Sequence, residues 1–218
     1  MKTAIVDICH TLYRSNTTFD YVDFVLNKKN KKIILLKVKP IKYTLIIMGR
    51  FLHKDIYRYL YIKRLRGFKK KELEDIANEF YKNKLNRLKI LSTFNAINKE
   101  INNYKFILAS ASLNIVIEAI IKNEKIFEGI AYSSSLDFKN DICTGKLSQD
   151  LLGNKHKYFS EVNWVITDNI SISNSLKNLK KSQYFQNPKT LLFGNGMVLK
   201  WISLYESFVL FLSHSLFF

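Results

Sequence analysis

The stretch Thr3-Ala4-Ile5-Val6-Asp7-Ile8-Cys9-His10-Thr11-Leu12 decides how this chain is read. Thr3 to Ile8 is apolar and rich in β-branched residues, and it gives way at once to a polar cluster. That pattern predicts a buried strand with Asp7 near its carboxyl end. The pattern returns twice. Tyr104 to Ala109 is a second buried run, followed by Ser110-Ala111-Ser112, which reads as a small-residue turn. Trp164 to Thr167 is a third, ending at Asp168. Helical periodicity follows or separates these runs at Asn114 to Lys122, Lys155 to Val162 and Ser173 to Lys180. Phe127 to Ser133 reads as a further strand, Asp141 to Leu147 as part of a hairpin, and Thr190 to Phe193 as a last short strand. Alternating strands and helices predict an α/β fold with a parallel sheet.

The first and second strands are separated by a helical block, as by an insertion. Thr17 to Asn27 reads as a helix. Ile41, Leu45, Met48, Leu52, Ile56 and Leu60 recur at three-to-four spacing within Ile33 to Tyr61, which predicts an amphipathic helix broken near Pro40 and Gly49. Lys69 to Lys82 is a clearer helix with Leu73, Ile76, Ala77 and Phe80 on one face, and Leu85 to Asn102 another. The block also holds the charge. The formal net charge of the chain is +17, and residues 28–71 contain 16 Lys and Arg against one acid, Asp55. Everything outside that stretch is nearly balanced.

With 218 residues and 47% hydrophobic residues, the chain is long enough for one sizeable packed domain carrying an insertion. Seven Gly and two Pro exclude collagen-like and Pro-rich linker classes. Two cysteines, Cys9 and Cys143, make no disulfide framework and suit a reducing, cytoplasmic setting. The opening apolar run is too short for a signal peptide and is cut by Asp7.

Open α/β sheets bind ligands at the carboxyl ends of their strands. Asp7, Ser110 and Asp168 fall at three such ends, and Lys155 opens the helix before the last of them. Two carboxylates can hold Mg²⁺, which prefers oxygen ligands. A serine and a lysine can hold phosphoryl oxygens and offset charge as it develops. One acid could attack phosphorus. Taken singly, each aspartate also suits a turn or a helix cap.

Four segments together resemble one family. Ile5-Val6-Asp7-Ile8-Cys9-His10-Thr11-Leu12 resembles the first motif of the haloacid dehalogenase-like (HAD) phosphatases, and Phe106-Ile107-Leu108-Ala109-Ser110-Ala111-Ser112 the second. Thr144-Gly145-Lys146-Leu147 followed by Gly153-Asn154-Lys155 resembles the approach to the third, and Val165-Ile166-Thr167-Asp168-Asn169 the fourth. The order and separations, with Ser15 to Asp20 and Glu72 to Phe80, are similar to the phosphoserine-phosphatase-like branch. The resemblance implies a Rossmann-like parallel-sheet core, residues 1–14 and 103–195, with an inserted α-helical cap, residues 15–102, and an apolar tail, residues 196–218. It implies Asp7 as nucleophile and Mg²⁺ ligand, the Cys9 carbonyl as a second ligand and Asp168 as a third. Ser110, with Ala111 beside it, and Lys155 would hold the phosphoryl group, with Lys157 as the substitute for Lys155. Thr11 would support the loop on the phosphate side.

Two positions depart from the family pattern. Cys9 stands where its phosphatases carry a catalytic acid–base Asp, and Ile172 stands where the fourth motif often has another Asp. His10 is a candidate substitute for the acid–base group. The expected function is Mg²⁺-dependent hydrolysis of a phosphomonoester, small or lipid-linked, through an aspartyl-phosphate at Asp7. Two alternatives stay open: a degenerate HAD scaffold that binds a phosphorylated or lipid ligand without turnover, and a phosphotransferase that does not need the second Asp.

The basic cap interleaves Tyr43, Phe51, Tyr57, Tyr59 and Tyr61 with cations. Such a surface suits an anionic substrate or an anionic membrane, placing the protein on its inner face. No RNA- or DNA-binding motif accompanies it. In the tail, the longest charge-free run is Ser207 to Phe218, 12 residues. A spanning helix needs ~20, so the tail is expected to pack on the domain or lie in an interface.

Overall fold

The structure is a computed structural model that describes residues 2–31, 34–127, 129, 131–154 and 163–168. Its centre is a five-stranded sheet built from β1 (Lys2–Val6), β2 (Tyr104–Leu113), β3 (Tyr132–Lys139), β4 (Ile142–Gln149) and β5 (Trp164–Ile166), in the order β4-β3-β2-β1-β5. β1 runs parallel to both neighbours, with Val6 level with Leu108 on one side and Ile166 on the other. Asp7 therefore leaves the sheet between two flanking strands. Alternate residues of β1 serve opposite faces: Ala4 and Val6 join the main core with Phe106 and Leu108, while Ile5 pairs with Ala109 on the other side. This is the α/β, Rossmann-like core expected from the sequence.

Between β1 and β2 the described chain is helical: α1 (Thr17–Lys28), α2 (Ile34–Lys37), α3 (Lys39–Phe51), α4 (Ile56–Lys63), α5 (Lys70–Asn83), a 3-10 turn at Leu85–Leu88, and α6 (Leu91–Lys99). α7 (Asn114–Asn123) follows β2 and packs beside α5. Leu73, Ile76, Ala77 and Phe80 of α5 are all buried, as their spacing requires. No helix among the described residues is long and apolar enough to cross a membrane.

Five boundaries differ from the sequence reading. Pro40 does not break a helix but sits in the first turn of α3, where its missing N–H costs nothing. Gly49 lies inside α3, and the break falls just beyond, at 52–55. A Cβ at Gly49 would stand 2.5 Å from the Lys54 carbonyl oxygen, so glycine is what lets the chain fold back there. Ser110-Ala111-Ser112 is not a turn: β2 runs through it. Ala109 pairs with Tyr132 and Leu113 with Ser134, so the β2 side carries two extra residues in an irregularity. The helix expected over Leu85 to Asn102 is split, because Arg14 N–H donates to the Leu88 carbonyl and Ile90 N–H to the Leu12 carbonyl, both at 2.8 Å. Finally, the strand expected from Phe127 starts only at Tyr132, and Lys125–Phe127 is a 3-10 turn. The β3–β4 hairpin turns on Asn140 and Asp141, at φ 50° and 59°, the left-handed conformation these residue types tolerate. The elements expected at 155–162, 173–180 and 190–193, and the tail, lie outside the described residues.

Candidate functional site

Asp7 is buried at the end of β1, with its amide donating to the Ile166 carbonyl at 2.9 Å. One carboxylate oxygen, Oδ1, accepts the Ile8 N–H at 2.7 Å. The next residues turn tightly. The Ile8 carbonyl accepts from the amides of Thr11, Leu12 and Tyr13, and His10 takes a left-handed backbone at φ 57°. His10 itself is exposed. Leu12 and Tyr13 are fully buried and anchor the loop from below.

Thr11 joins this loop to the end of β5. Its Oγ1 accepts the Asp168 N–H at 3.0 Å and donates to Asp168 Oδ1 at 3.2 Å. Burial pushes the Asp168 carboxyl above its ordinary range, and the charge of Asp7 pushes it further. The Thr11 hydroxyl and the charge of His10 oppose this in part. Two carboxylates held in each other's field, beside main-chain carbonyls, are a hard oxygen donor set. They fit a small divalent cation such as Mg²⁺, whose positive charge would reverse the repulsion. Among the described residues no group of three or more His, Cys, Asp and Glu side chains gathers in this way. A cation here would rest on Asp7, Asp168 and main-chain oxygen.

Cys9 points its sulfur at hydroxyls. Sγ lies 3.2 Å from Thr17 Oγ1 and 3.5 Å from Ser112 Oγ, and Thr17 and Ser112 are themselves bonded. Ser112 Oγ lies 3.0 Å from Ser110 Oγ. A chain of hydroxyls therefore runs from the thiol to the buried Ser110. Burial raises the Cys9 thiol, and the charge of Asp7 raises it further, so the sulfur stays protonated at neutral pH.

The far side of this cluster is held by an arginine. Arg58 of α4 is 5% exposed. Its Nη2 donates to the Ala111 carbonyl at 2.6 Å and to Ser134 Oγ at 3.0 Å, and its Nη1 to Asp150 Oδ2 at 2.7 Å. Asp150 opens a turn in which Asn154 N–H donates to the Leu151 carbonyl. That turn ends one residue before Lys155. Lys155, its substitute Lys157 and Ile172 lie outside the described residues.

Beside the loop, α1, α3 and α4 enclose a cavity of about 900 Å³. Asn16 and Phe19 form one wall, and Lys37, Lys42, Arg50 and Lys54 bring four cations to it against one acid, Asp55. Asn16 precedes Thr17, whose hydroxyl touches Cys9, so the cavity adjoins the candidate site.

Of the residues expected from sequence, the structure brings Asp7, Thr11 and Asp168 into one cluster and Cys9 and Ser110 into the adjoining one. Sequence reasoning missed Thr17, Ser112, Arg58, Ser134 and Asp150. Arg58 left a faint trace: it lies four residues before the buried Ile62, on a face that includes buried Tyr57 and Tyr61. Inside a basic run, that trace was masked by its neighbours.

No family model matches the chain, and no curated protein does. Solved structures do. A protein of unknown function from Bordetella pertussis Tohama I matches with TM-score 0.53 and 14% identity, covering 67% of this chain and 66% of its own. The chain thus spans slightly under two thirds of that protein's length. A phosphoserine phosphatase, solved as a phospho-aspartyl intermediate analogue, matches with TM-score 0.51 and 16% identity, covering 80% of this chain and 82% of its own. Cytosolic 5'-nucleotidase IIIB bound to cytidine matches with TM-score 0.50 and 11% identity, covering 84% and 70%. The strand order, the helical insertion after β1 and these likenesses give one conclusion: the chain has the haloacid dehalogenase-like fold in its phosphoserine-phosphatase-like form.

Proposed function

We propose that this chain is a Mg²⁺-dependent phosphomonoester hydrolase that works through an aspartyl-phosphate at Asp7. The observation that carries the reading is the pairing of Asp7 with Asp168 at adjacent strand ends, locked by Thr11. Asp7 attacks phosphorus, the ester oxygen leaves with its alcohol, and water later releases phosphate from the acyl-phosphate. Asp7, Asp168 and the Cys9 carbonyl hold the cation, which when bound offsets charge on the phosphoryl oxygens. Ser110, the Ala111 backbone and Lys155 hold those oxygens, and Thr11 supports the loop on that side through Asp168. Residues 15–102 act as the cap over a core of 1–14 and 103–195, and 196–218 is an appended tail.

Cys9 sets the character of the reaction. A neutral thiol cannot take a proton from water as a carboxylate does, and losing a positioned acid–base group costs ~10²–10⁴ in rate. The second step is therefore the slow one. A phosphoryl group held on Asp7 is then open to an acceptor other than water, which is what favours phosphotransfer as the second reading.

The cationic wall of the cavity selects a substrate whose leaving group is itself anionic. The outer face of α3 supplies a partner surface. Tyr43, Ile47 and Phe51 are exposed at four-residue spacing, Phe51 by 81%, and point away from Lys42, Ile46, Gly49 and His53, which line the cavity. With Lys39 beside it, this apolar stripe matches an anionic lipid surface, on the cytoplasmic side of a membrane. A lipid-linked phosphomonoester would reach the cavity from there. The direct test is phosphate release from a panel of phosphomonoesters, with and without Mg²⁺, for wild type and Asp7→Asn. Release that needs both is expected. Equal release by Asp7→Asn would remove Asp7 from the chemistry.

A further inference from the structure

Arg58 belongs to a cap helix, yet its guanidinium bonds three groups outside the cap: the Ala111 carbonyl beside Ser110, Ser134 of β3, and Asp150. We propose that Arg58 is a positioning residue for Ser110: docking of α4 sets the Ala111–Ser112 peptide, and that peptide sets the serine hydroxyl. The proposal rests on the phosphatase reading only in giving Ser110 a phosphoryl group to hold.

One peptide plane carries the connection. Its carbonyl, on Ala111, accepts from Arg58 Nη2 at 2.6 Å, and its N–H, on Ser112, donates to Ser110 Oγ at 3.4 Å. A charged donor on the carbonyl polarises the peptide and strengthens the N–H as a donor. Ser112 Oγ, at 3.0 Å, approaches the same Ser110 oxygen. A hydroxyl has two lone pairs and one proton. When both neighbours donate to Ser110, its own proton is left to donate to a bound anion.

The other arm of the fork reaches the segment before Lys155. Asp150 Oδ2 takes Nη1, while Oδ1 accepts from Ser134 Oγ at 2.9 Å and from Leu152 N–H at 3.0 Å. Ser134 Oγ in turn accepts Leu151 N–H at 3.0 Å. One guanidinium thereby ties the Ser110 segment to the turn that Asp150 opens. Lysine cannot replace it: an ammonium on a flexible stem lacks the planar fork that spans a carbonyl and a carboxylate together.

The test compares full-length wild type, Arg58→Met and Arg58→Lys by amide hydrogen exchange with and without millimolar inorganic phosphate, and by Mg²⁺-dependent turnover of p-nitrophenyl phosphate. In Arg58→Met, exchange across 109–113 and 150–154 is expected to rise ~10-fold or more while β1 stays as in wild type. Its kcat is expected to fall ~10²-fold with KM held within about threefold, as misplacement of a catalytic group predicts. Arg58→Lys should restore protection at 150–154 and leave 109–113 exposed. Wild-type exchange at 109–113 in a folded Arg58→Met, or full recovery of exchange and kcat in Arg58→Lys, overturns the proposal. If Arg58→Met does not fold, Arg58→Lys and Asp150→Asn supply the same comparison. If wild type turns nothing over, the phosphatase reading fails and the exchange pattern alone decides the role of Arg58.

Discussion

Thr11 and Asp168 hold each other by two hydrogen bonds across 157 positions of sequence, one at 3.0 Å from the Asp168 amide and one at 3.2 Å to its Oδ1. The pair fixes the loop after β1 against the end of β5, and so fixes one carboxylate relative to the other. Thr11→Val keeps the shape and removes both bonds, leaving a backbone amide without its acceptor. A loss of about 1–3 kcal/mol in stability is expected. Mg²⁺ affinity should fall ~10–100-fold, the usual effect of losing a group that orients a metal ligand. Titration calorimetry with Mg²⁺ checks this, and Thr11→Ser should bind as wild type does. Unchanged affinity in Thr11→Val would separate Thr11 from the metal.

The raised Asp168 carboxyl gives a pH signature. Its causes are burial first and Asp7 second. The folded protein holds this proton more tightly than the unfolded chain does. The resulting stabilisation is complete below the ordinary value of 3.8 and is lost as pH rises through the higher folded value. Asp168→Asn removes that loss. In EDTA at neutral pH, Asp168→Asn is expected to melt above wild type, and added Mg²⁺ to raise only the wild-type Tm. A lower melting temperature for Asp168→Asn in EDTA would contradict a strained carboxylate pair.

The thiol at position 9 predicts a slow second step. Cys9→Asp replaces a half-buried neutral group with a carboxylate that can take a proton from water. Steady-state turnover is expected to rise by ~10²-fold or more. In rapid-quench kinetics, wild type should show an initial burst of leaving group and Cys9→Asp should lose it. A wild type without a burst, together with a Cys9→Asp no faster than it, would show that breakdown of the intermediate does not limit the rate.

The exposed stripe on α3 predicts lipid binding that depends on charge. Wild type should pellet with vesicles containing phosphatidylserine and not with phosphatidylcholine alone, each basic residue at the surface contributing about 1 kcal/mol. Raised salt should weaken the pelleting. The double variant Ile47→Ser, Phe51→Ser should stay in solution and keep its turnover of p-nitrophenyl phosphate. Pelleting by the double variant equal to wild type would remove α3 from the membrane contact.

The sheet and its polar strand ends were legible because a buried parallel strand writes a short apolar run, and Asp7 and Asp168 stand just past two of them. The α5 face was legible because Leu73, Ile76, Ala77 and Phe80 keep a strict helical period. What escaped the sequence was set by contacts between distant segments. Ser110 to Ser112 look like a turn, and become an irregular part of β2 only because β3 pairs on both sides of them. Leu85 to Asn102 has helical composition, and is broken by main-chain bonds to the loop after Asp7. Pro40 and Gly49 are breakers by propensity, but a helix start accepts one and a close backbone approach needs the other. Arg58 and Asp150 are 92 positions apart, and no local signal links the two.

The central claim is that Asp7 carries the phosphoryl group. It is tested most directly by quenching the protein in acid during turnover of a ³²P-labelled phosphomonoester with Mg²⁺ and mapping the label. A base-labile phosphate on the peptide containing Asp7, absent in Asp7→Asn and absent without Mg²⁺, is the predicted result. Phosphate release with no label on that peptide, or label that persists in Asp7→Asn, would contradict it.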